Sequence, residues 1–133
     1  MRLLLDSHFI LWITSDAEKL TGAEQAALRG DVTLIVPAVG LWELNLKWQS
    51  LGKSGERRLD IAPANLLATI RDLGWEIAML DPDSAVATLD SPILHKDPFD
   101  TLLLVQAQEL GIQLLSRDEK LMGHPLVFTP GAP

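Results

Sequence analysis

Five acidic residues in this chain have the chemistry to hold a divalent metal ion together, if the fold brings them to one place. They are Asp6, Glu43, Asp97, Asp100 and Asp118. The chain contains no cysteine, so a thiolate metal site is excluded, and any metal would be bound by oxygen or imidazole. Carboxylate oxygens suit Mg²⁺ or Mn²⁺, and a cation compensates the repulsion between clustered acids. The acids therefore predict a carboxylate pocket for a divalent cation.

The four aspartates also have an ordinary structural explanation. Asp is favoured at the N-cap of a helix, which is where Asp6, Asp97 and Asp118 stand. Asp100 falls in the first turn of a predicted helix, where a negative charge suits the helix dipole. Capping does not explain why every strand-to-helix turn that we place at one edge of the sheet presents an acid. We expect capping to account for Asp97 and the other three to serve as both caps and ligands.

Glu43 lies inside a predicted helix and needs a separate explanation. With Lys47 four residues later, it fits the usual i,i+4 ion pair of a solvated helix face. The residues alone leave that alternative open. The histidines offer no competing zinc site, because His8, His95 and His124 lack the i,i+4 spacing of a helical site.

The elements that must position these acids follow from apolar runs and from Pro, Gly and capping signals. Strands are predicted at 2–5, 32–36, 75–80, 112–115 and 126–128. Helices are predicted at 7–13, 23–28, 38–51, 63–73, 82–89 and 98–110, with a helical turn at 119–122 and a polar loop at 52–60. Alternating strands and helices indicate an α/β domain with a mostly parallel sheet covered on both faces. A chain of 133 residues is expected to form a single domain, and such sheets bind ligands beyond the carboxyl ends of their strands.

The net charge of −7 argues against a protein that binds nucleic acid through a broadly basic surface. Bound divalent cations would offset part of that charge inside the acidic pocket. The basic residues are also local, since Lys47, Lys53, Arg57 and Arg58 fall within one twelve-residue stretch. An acidic average can therefore coexist with a basic rim beside the site.

No membrane segment or export signal is predicted. The apolar stretch 1–13 is interrupted by Asp6 and His8, and no run approaches the roughly 20 apolar residues of a membrane span. We expect a cytoplasmic protein. Trp12, Trp42, Trp48 and Trp75 all lie in apolar segments, so we assign them to the core or to a dimer interface and not to base stacking.

Four segments, taken together in this order and spacing, resemble the PIN-domain ribonucleases. They are LLLDSHFILW, VPAVGLWELNLKWQSLGK, HKDPFDTLLLVQAQELG and LLSRDEKL. The resemblance covers nearly the whole chain and is greatest to the VapC-type toxins of bacterial type II toxin–antitoxin pairs. It implies a three-layer α/β/α PIN-like fold with a mostly parallel central sheet, as a single domain over residues 1–133.

The resemblance also implies a role for each acid. Asp6 is the acid after the first strand, Glu43 the acid of the WEL helix, Asp100 the principal acid of the DPFD helix and Asp118 the acid of the SRD turn. These four would be catalytic and would bind metal directly or through water, with Asp97 tuning a second, weaker metal site. Ser7 and Ser116 match small hydroxyl positions that help to order the carboxylates and metal-bound water.

By the same resemblance, the activity would be Mg²⁺-dependent endoribonucleolytic cleavage, with Mn²⁺ as a possible substitute. The partners would be an RNA substrate, a cognate antitoxin and a second copy of the chain. Two departures are Gly40, where relatives often carry a hydroxyl, and the turn 121–125, which lacks an expected aromatic residue.

Two alternatives remain. One is a catalytically inactive PIN-like module that binds RNA or protein. The other is a phosphotransfer enzyme or receiver domain, but these would require a further Asp in place of His8 or an acidic pair that Asp6 and Ser7 do not supply.

Overall fold

A five-stranded parallel sheet forms the centre of the molecule in the computed structural model, which describes residues 1–94 and 97–131. The strands are β1 (Arg2–Leu5), β2 (Thr33–Pro37), β3 (Glu76–Ala78), β4 (Gln113–Leu115) and β5 (Val127–Phe128). Their order is β3-β2-β1-β4-β5, and every neighbouring pair is parallel. The predicted sheet is confirmed, with β1 at its centre.

The helices begin and end where local signals in the sequence place them. They are α1 (Ser7–Ser15), α2 (Gly22–Leu28), α3 (Ala38–Gln49), α4 (Pro63–Asp72), α5 (Pro82–Ala85) and α6 (Pro98–Leu110), with 3-10 turns at Ala17–Lys19 and Glu119–Leu121. Thr21 and Glu24, which have the three-residue spacing of a capping box, form that motif at the start of α2. Gly111 ends α6 in the left-handed conformation, with φ of 68°, which a residue without a Cβ adopts at little cost.

Successive residues of β1 point to opposite faces of the sheet and belong to two separate cores. Leu3 and Leu5 pack with buried residues of α1, α3 and α4. Leu4, between them, packs with Leu103, Leu104 and other buried residues of α6. Helices therefore cover both faces of the sheet, as the three-layer prediction requires.

The direction of each element brings several helix N-termini to one edge of the sheet. Helices α1 and α3 begin directly after β1 and β2, at their carboxyl ends. Helix α6 leads into β4 from the other end, so its first residue, Pro98, lies back at this same edge. All the segments that carry the predicted site residues therefore meet at the carboxyl edge of the sheet.

Two predicted elements are shorter than expected. The helix predicted at 82–89 ends at Ala85, because Leu89 and Ile93 pack against the α6 core from an irregular segment. The strand predicted at 75–80 is reduced to Glu76–Ala78. None of the helices within residues 1–94 and 97–131 has the length and apolar character that crossing a bilayer requires.

Candidate functional site

Asp6 is the central residue of the site, because it leaves the middle strand of the sheet and caps α1. Its Oδ1 accepts a hydrogen bond from the Phe9 backbone N–H at 3.0 Å. Burial raises the pKa of Asp6 above the ordinary aspartate value, and the nearby charge of Glu43 adds to the rise. The hydrogen bonds from Phe9 and the Ser116 hydroxyl, and the charge of His8, oppose this rise. Asp6 is thus a carboxylate in an environment where a cation would relieve an electrostatic cost.

Glu43 approaches Asp6 from α3, on the helix that follows the neighbouring strand β2. It lies half-buried on the second turn of α3, close enough for its charge to act on Asp6. The ion pairs of the described residues do not include one between Glu43 and Lys47. The two carboxylates therefore form a like-charged pair, and the solvated ion-pair alternative for Glu43 is not what the structure shows.

Ser116 connects Asp6 to the turn that carries Asp118. Ser116 is 1% exposed, directly after β4, and hydrogen bonding by its hydroxyl lowers the pKa of Asp6. Its Oγ also accepts from the Asp118 backbone N–H at 3.2 Å. Asp118 in turn caps the short 3-10 turn, accepting from the Lys120 N–H at 3.0 Å. Ser7, the first residue of α1, is buried beside them.

Asp97 and Asp100 lie at the start of α6, at the same edge of the sheet. Asp97 is its N-cap, and its Oδ1 accepts from the backbone N–H groups of Phe99 at 2.9 Å and Asp100 at 3.4 Å. The predicted capping role of Asp97 is confirmed. Helices α3 and α6 meet here through Trp42 and Phe99, whose ring centroids are 5.7 Å apart. The acids Glu43 and Asp100 are the chain neighbours of these two aromatic residues.

The carboxylates share one edge but do not all gather at one point. Within the described part of the chain, no three acidic or imidazole side chains lie close enough to ligate a single metal ion. Like charges repel one another, and Asp6, Asp97 and Asp118 each direct an oxygen to the amide that it caps. What the structure brings together is the pair Asp6 and Glu43, with Ser116 beside them.

The donor set fits a hard divalent cation. Every candidate ligand is a carboxylate oxygen, Asp6 is half-buried, and capping uses Oδ1 of Asp6 and of Asp118. Such oxygens suit Mg²⁺ and Mn²⁺ and are poor partners for soft metals. The chemistry of the residues thus agrees with the predicted metal, and Asp6 with Glu43 would form the core of the site.

The sequence also matches a known family over most of its length. Residues 3–123 match the PIN domain. The chain belongs to the PIN domain family. Ribonuclease VapC22 of Mycobacterium tuberculosis is 26% identical over 121 residues, which cover 91% of this chain and 90% of that relative. The predicted family resemblance is confirmed.

A solved structure supports the PIN fold independently. The crystal structure of VapBC2 from Rickettsia felis bound to a DNA fragment from their promoter contains a chain with a TM-score of 0.59 to this one. The two are 12% identical, and the match covers 96% of each chain. At that identity the likeness concerns the fold, which is the predicted three-layer α/β PIN fold.

A cleft of about 700 Å³ lies between α1, α3 and the loop that follows α3, and none of the five candidate acids of this PIN domain lines it. Its lining includes His8 and Trp12 of α1, Lys47 of α3 and Arg58 of the following loop. The acidic residues Asp16, Glu18 and Asp60 share it. Two of the four predicted basic-rim residues thus face a common cleft, whereas Arg57 lies over the Trp48 ring at 4.4 Å.

The tryptophan and histidine predictions are only partly confirmed. Trp12 and Trp75 pack against the core, whereas Trp42 is 56% exposed, which leaves the dimer interface as the predicted alternative for it. Trp42 is an exposed residue of α3, and its ring contacts that of Phe99 at the start of α6. His124 bonds the Ser91 carbonyl and accepts from the Leu126 N–H, a structural role. His95 lies outside the described residues.

The sequence does not predict that Arg117 contacts Glu24. Arg117 was part of the SRD signature, but only its neighbours were assigned roles. Glu24 was identified as a capping residue. Their contact spans 93 positions of sequence, and no local pattern signals it.

Proposed function

We propose that this PIN domain is a Mg²⁺-dependent endoribonuclease, the toxin of a type II toxin–antitoxin pair. The single observation that carries the proposal is the half-buried Asp6, whose pKa is raised by desolvation and by the charge of Glu43, at the carboxyl edge of the sheet. A relative named as a ribonuclease, alignable over nine-tenths of both chains, supports the choice of RNA as substrate.

Asp6 and Glu43 would hold the metal, with Asp100 and Asp118 completing its surroundings and Asp97 serving a weaker second site. A divalent ion bound there supplies an activated water and stabilises charge on the leaving oxygen of a phosphodiester. The side chains around Asp6 would position the carboxylates that hold this ion. Ser116 orients Asp6 and holds the Asp118 turn, and the buried first residue Ser7 supports the same corner.

Cleavage of a mixed RNA pool by the purified protein tests this proposal. We expect cleavage with Mg²⁺ or Mn²⁺, none with EDTA, and a loss on the order of 100-fold or more in Asp6→Asn and Asp100→Asn. Asp72→Asn is the matched control, because Asp72 ends α4 at the opposite edge of the sheet. Full activity in both site variants would refute the mechanism.

A second candidate is a catalytically inactive PIN module that binds RNA or protein. The observation favouring it is that no three candidate ligands within the described residues gather around one point. The same assay separates the two functions. RNA binding without cleavage at any Mg²⁺ or Mn²⁺ concentration would support the inactive module.

We propose a cytoplasmic antitoxin as the physiological inhibitor. The chain of known structure that is similar to this one comes from a crystal structure of VapBC2. An unrestrained ribonuclease would also damage the cell that makes it, so an inhibitor is expected. A basic side chain of the antitoxin paired with the pocket carboxylates would neutralise the site. Growth arrest on expression, relieved by co-expressing a small neighbouring reading frame, is the expected result.

We also propose that the protein is a homodimer joined through α3. Trp42 and Leu46 lie one turn apart on this helix and are 56% and 39% exposed. Exposed aromatic residues of this kind are enriched in protein interfaces. Analytical ultracentrifugation should show a dimer that Trp42→Ala weakens and Leu73→Ala, an equally exposed leucine of the α4 C-terminus, does not. A monomeric wild type would contradict the dimer.

A further inference from the structure

Arg117 forms the most extensive side-chain connection between the candidate site and the rest of the molecule. Its Nε donates to Glu24 Oε2 at 3.1 Å, and its Nη2 donates to Glu24 Oε1. The same Nη2 donates to the Lys19 carbonyl at 2.9 Å. A fork of this kind fixes the plane and direction of a guanidinium, which a single contact does not.

The acceptor of this fork is itself held rigidly. Glu24 is 4% exposed and belongs to the capping box of α2. Its Oε1 accepts from the Thr21 N–H at 2.9 Å, and its own N–H donates to Thr21 Oγ1 at 3.1 Å. Arg117 is therefore fastened to a side chain that has little freedom to move.

The guanidinium also lies against the aromatic face of α1. Its Cζ is 4.0 Å from the ring centroid of Trp12 and 5.6 Å from that of Phe9. Trp12 stacks in turn on His8, with centroids 5.5 Å apart. Cation–π contact and the ion pair act together, so Arg117 joins the helix that Asp6 caps to the turn that follows β4.

The residues on either side of Arg117 are the ones that the site requires. The Asp6 N–H donates to the carbonyl of Leu115, the residue before Ser116, at 3.3 Å, and Asp118 donates its N–H to Ser116 Oγ. These hydrogen bonds hold the turn together internally, and the contacts of its middle residue, Arg117, fix the turn to α1 and α2. We propose that Arg117 is a positioning residue, which, through Glu24 and Trp12, places Ser116 and Asp118 relative to Asp6.

This assignment rests on the proposed function for its catalytic consequence, but the positioning itself can be tested without metal. The variants are Arg117→Lys, which keeps the charge and loses the fork, and Glu24→Gln, which keeps the capping box and loses the carboxylate. Arg2→Lys is the matched control. Arg2 also pairs with a carboxylate, Glu76 at 3.1 Å, at the amino-terminal end of β1.

The first measurement is amide NMR of the metal-free protein. Arg117→Lys and Glu24→Gln should shift the Ser116 and Asp118 amide signals and speed their hydrogen exchange at least about tenfold, whereas Arg2→Lys should do neither. This result does not depend on ribonuclease activity. Unchanged Ser116 and Asp118 signals in both site variants would overturn the positioning role even if the wild type cleaves no RNA.

The second measurement is RNA cleavage at a temperature where every variant is folded. We expect kcat to fall on the order of 10- to 100-fold, with KM for RNA within about twofold and a higher Mg²⁺ concentration needed for half-maximal rate. Variants that lower only the melting temperature, with wild-type kcat and Mg²⁺ response, would make Arg117 a simple stabilising contact. Failure of both variants to fold even in the cold would assign it to folding instead and overturn the proposal.

Discussion

At the scale of single residues, the chemistry of the site centres on one carboxylate whose surroundings oppose its charge. Asp6 is half-buried, and desolvation and the charge of Glu43 raise its pKa against the hydrogen bonds from Phe9 and Ser116 and the charge of His8. The ionised carboxylate therefore lowers the free energy of unfolding of the metal-free protein, and a bound cation would compensate its charge. Side chains with pKa values perturbed in this way are concentrated at functional sites.

We predict that Asp6→Asn stabilises the metal-free protein at neutral pH. Asn caps a helix as well as Asp does, so the bond to Phe9 is retained while the half-buried charge is removed. Because the pKa of Asp6 is raised in the fold, ionisation penalises the native state more than the unfolded one. The stabilisation should be absent below the unfolded pKa of about 3.9 and grow as pH rises through the folded value.

Thermal unfolding of both proteins in EDTA across pH 3 to 8 checks this prediction. A lower melting temperature for Asp6→Asn than for wild type at pH 7 would show that the charge is well compensated and would contradict the account. Added Mg²⁺ should raise the wild-type melting temperature and leave the variant unchanged, since binding to the native state stabilises it.

At the scale of elements, a helix-capping aspartate can stabilise the helix and can also bind metal, and a substitution series separates these two roles. Asp97 caps α6 through the Phe99 and Asp100 amides, and Asn would preserve that geometry. We predict that Asp97→Asn keeps the stability of the fold and cleavage within about threefold, whereas Asp97→Ala lowers the free energy of unfolding by about 1 kcal/mol. Urea denaturation and RNA cleavage measure the two effects.

Equal loss of stability in Asp97→Asn and Asp97→Ala would contradict the capping explanation. A loss of cleavage in Asp97→Asn as large as that in Asp100→Asn would instead make Asp97 a principal ligand. The two Asp residues of the DPFD segment would then have equal roles.

The elements were predictable where their signals are local. Pro98 and Gly111 mark the two ends of α6, and Thr21 with Glu24 marks the start of α2. The end of α5 was not predictable, because distant packing of Leu89 and Ile93 decides it. The edge of the sheet that carries the acids follows from the strand order of a parallel sheet. Which acids meet depends on side-chain directions, which the sequence does not reveal. The contact between Arg117 and Glu24 is likewise not predictable, because the two residues are 93 positions apart in the sequence.

At the scale of the whole molecule, an acidic protein must still attract a polyanion if it cleaves RNA. The net charge is −7, and only a local basic surface can offset it. Lys47 and Arg58 line the cleft next to α1 and share it with His8, which lies two residues after Asp6. We infer that the RNA backbone passes along these two side chains.

We predict that Lys47→Gln and Arg58→Gln raise KM for RNA with little change in kcat. Each should also reduce the dependence of log affinity on log salt concentration by about 0.7 to 1, because each removes one phosphate contact. Binding measured in Ca²⁺ or EDTA over a salt series gives the slope. Arg71→Gln is the control, since Arg71 is exposed near the end of α4, and a slope equal to that control would refute this path for the RNA.

The central claim is that Asp6 and Glu43 together hold a divalent metal ion. Mn²⁺ binding to the purified protein, followed by electron paramagnetic resonance, tests it without any assumption about the substrate. We predict saturable binding to wild type and to Asp72→Asn, weakened about tenfold or more in Asp6→Asn and in Glu43→Gln. Equal Mn²⁺ affinity in all four proteins, or no saturable binding to the wild type, would contradict the account.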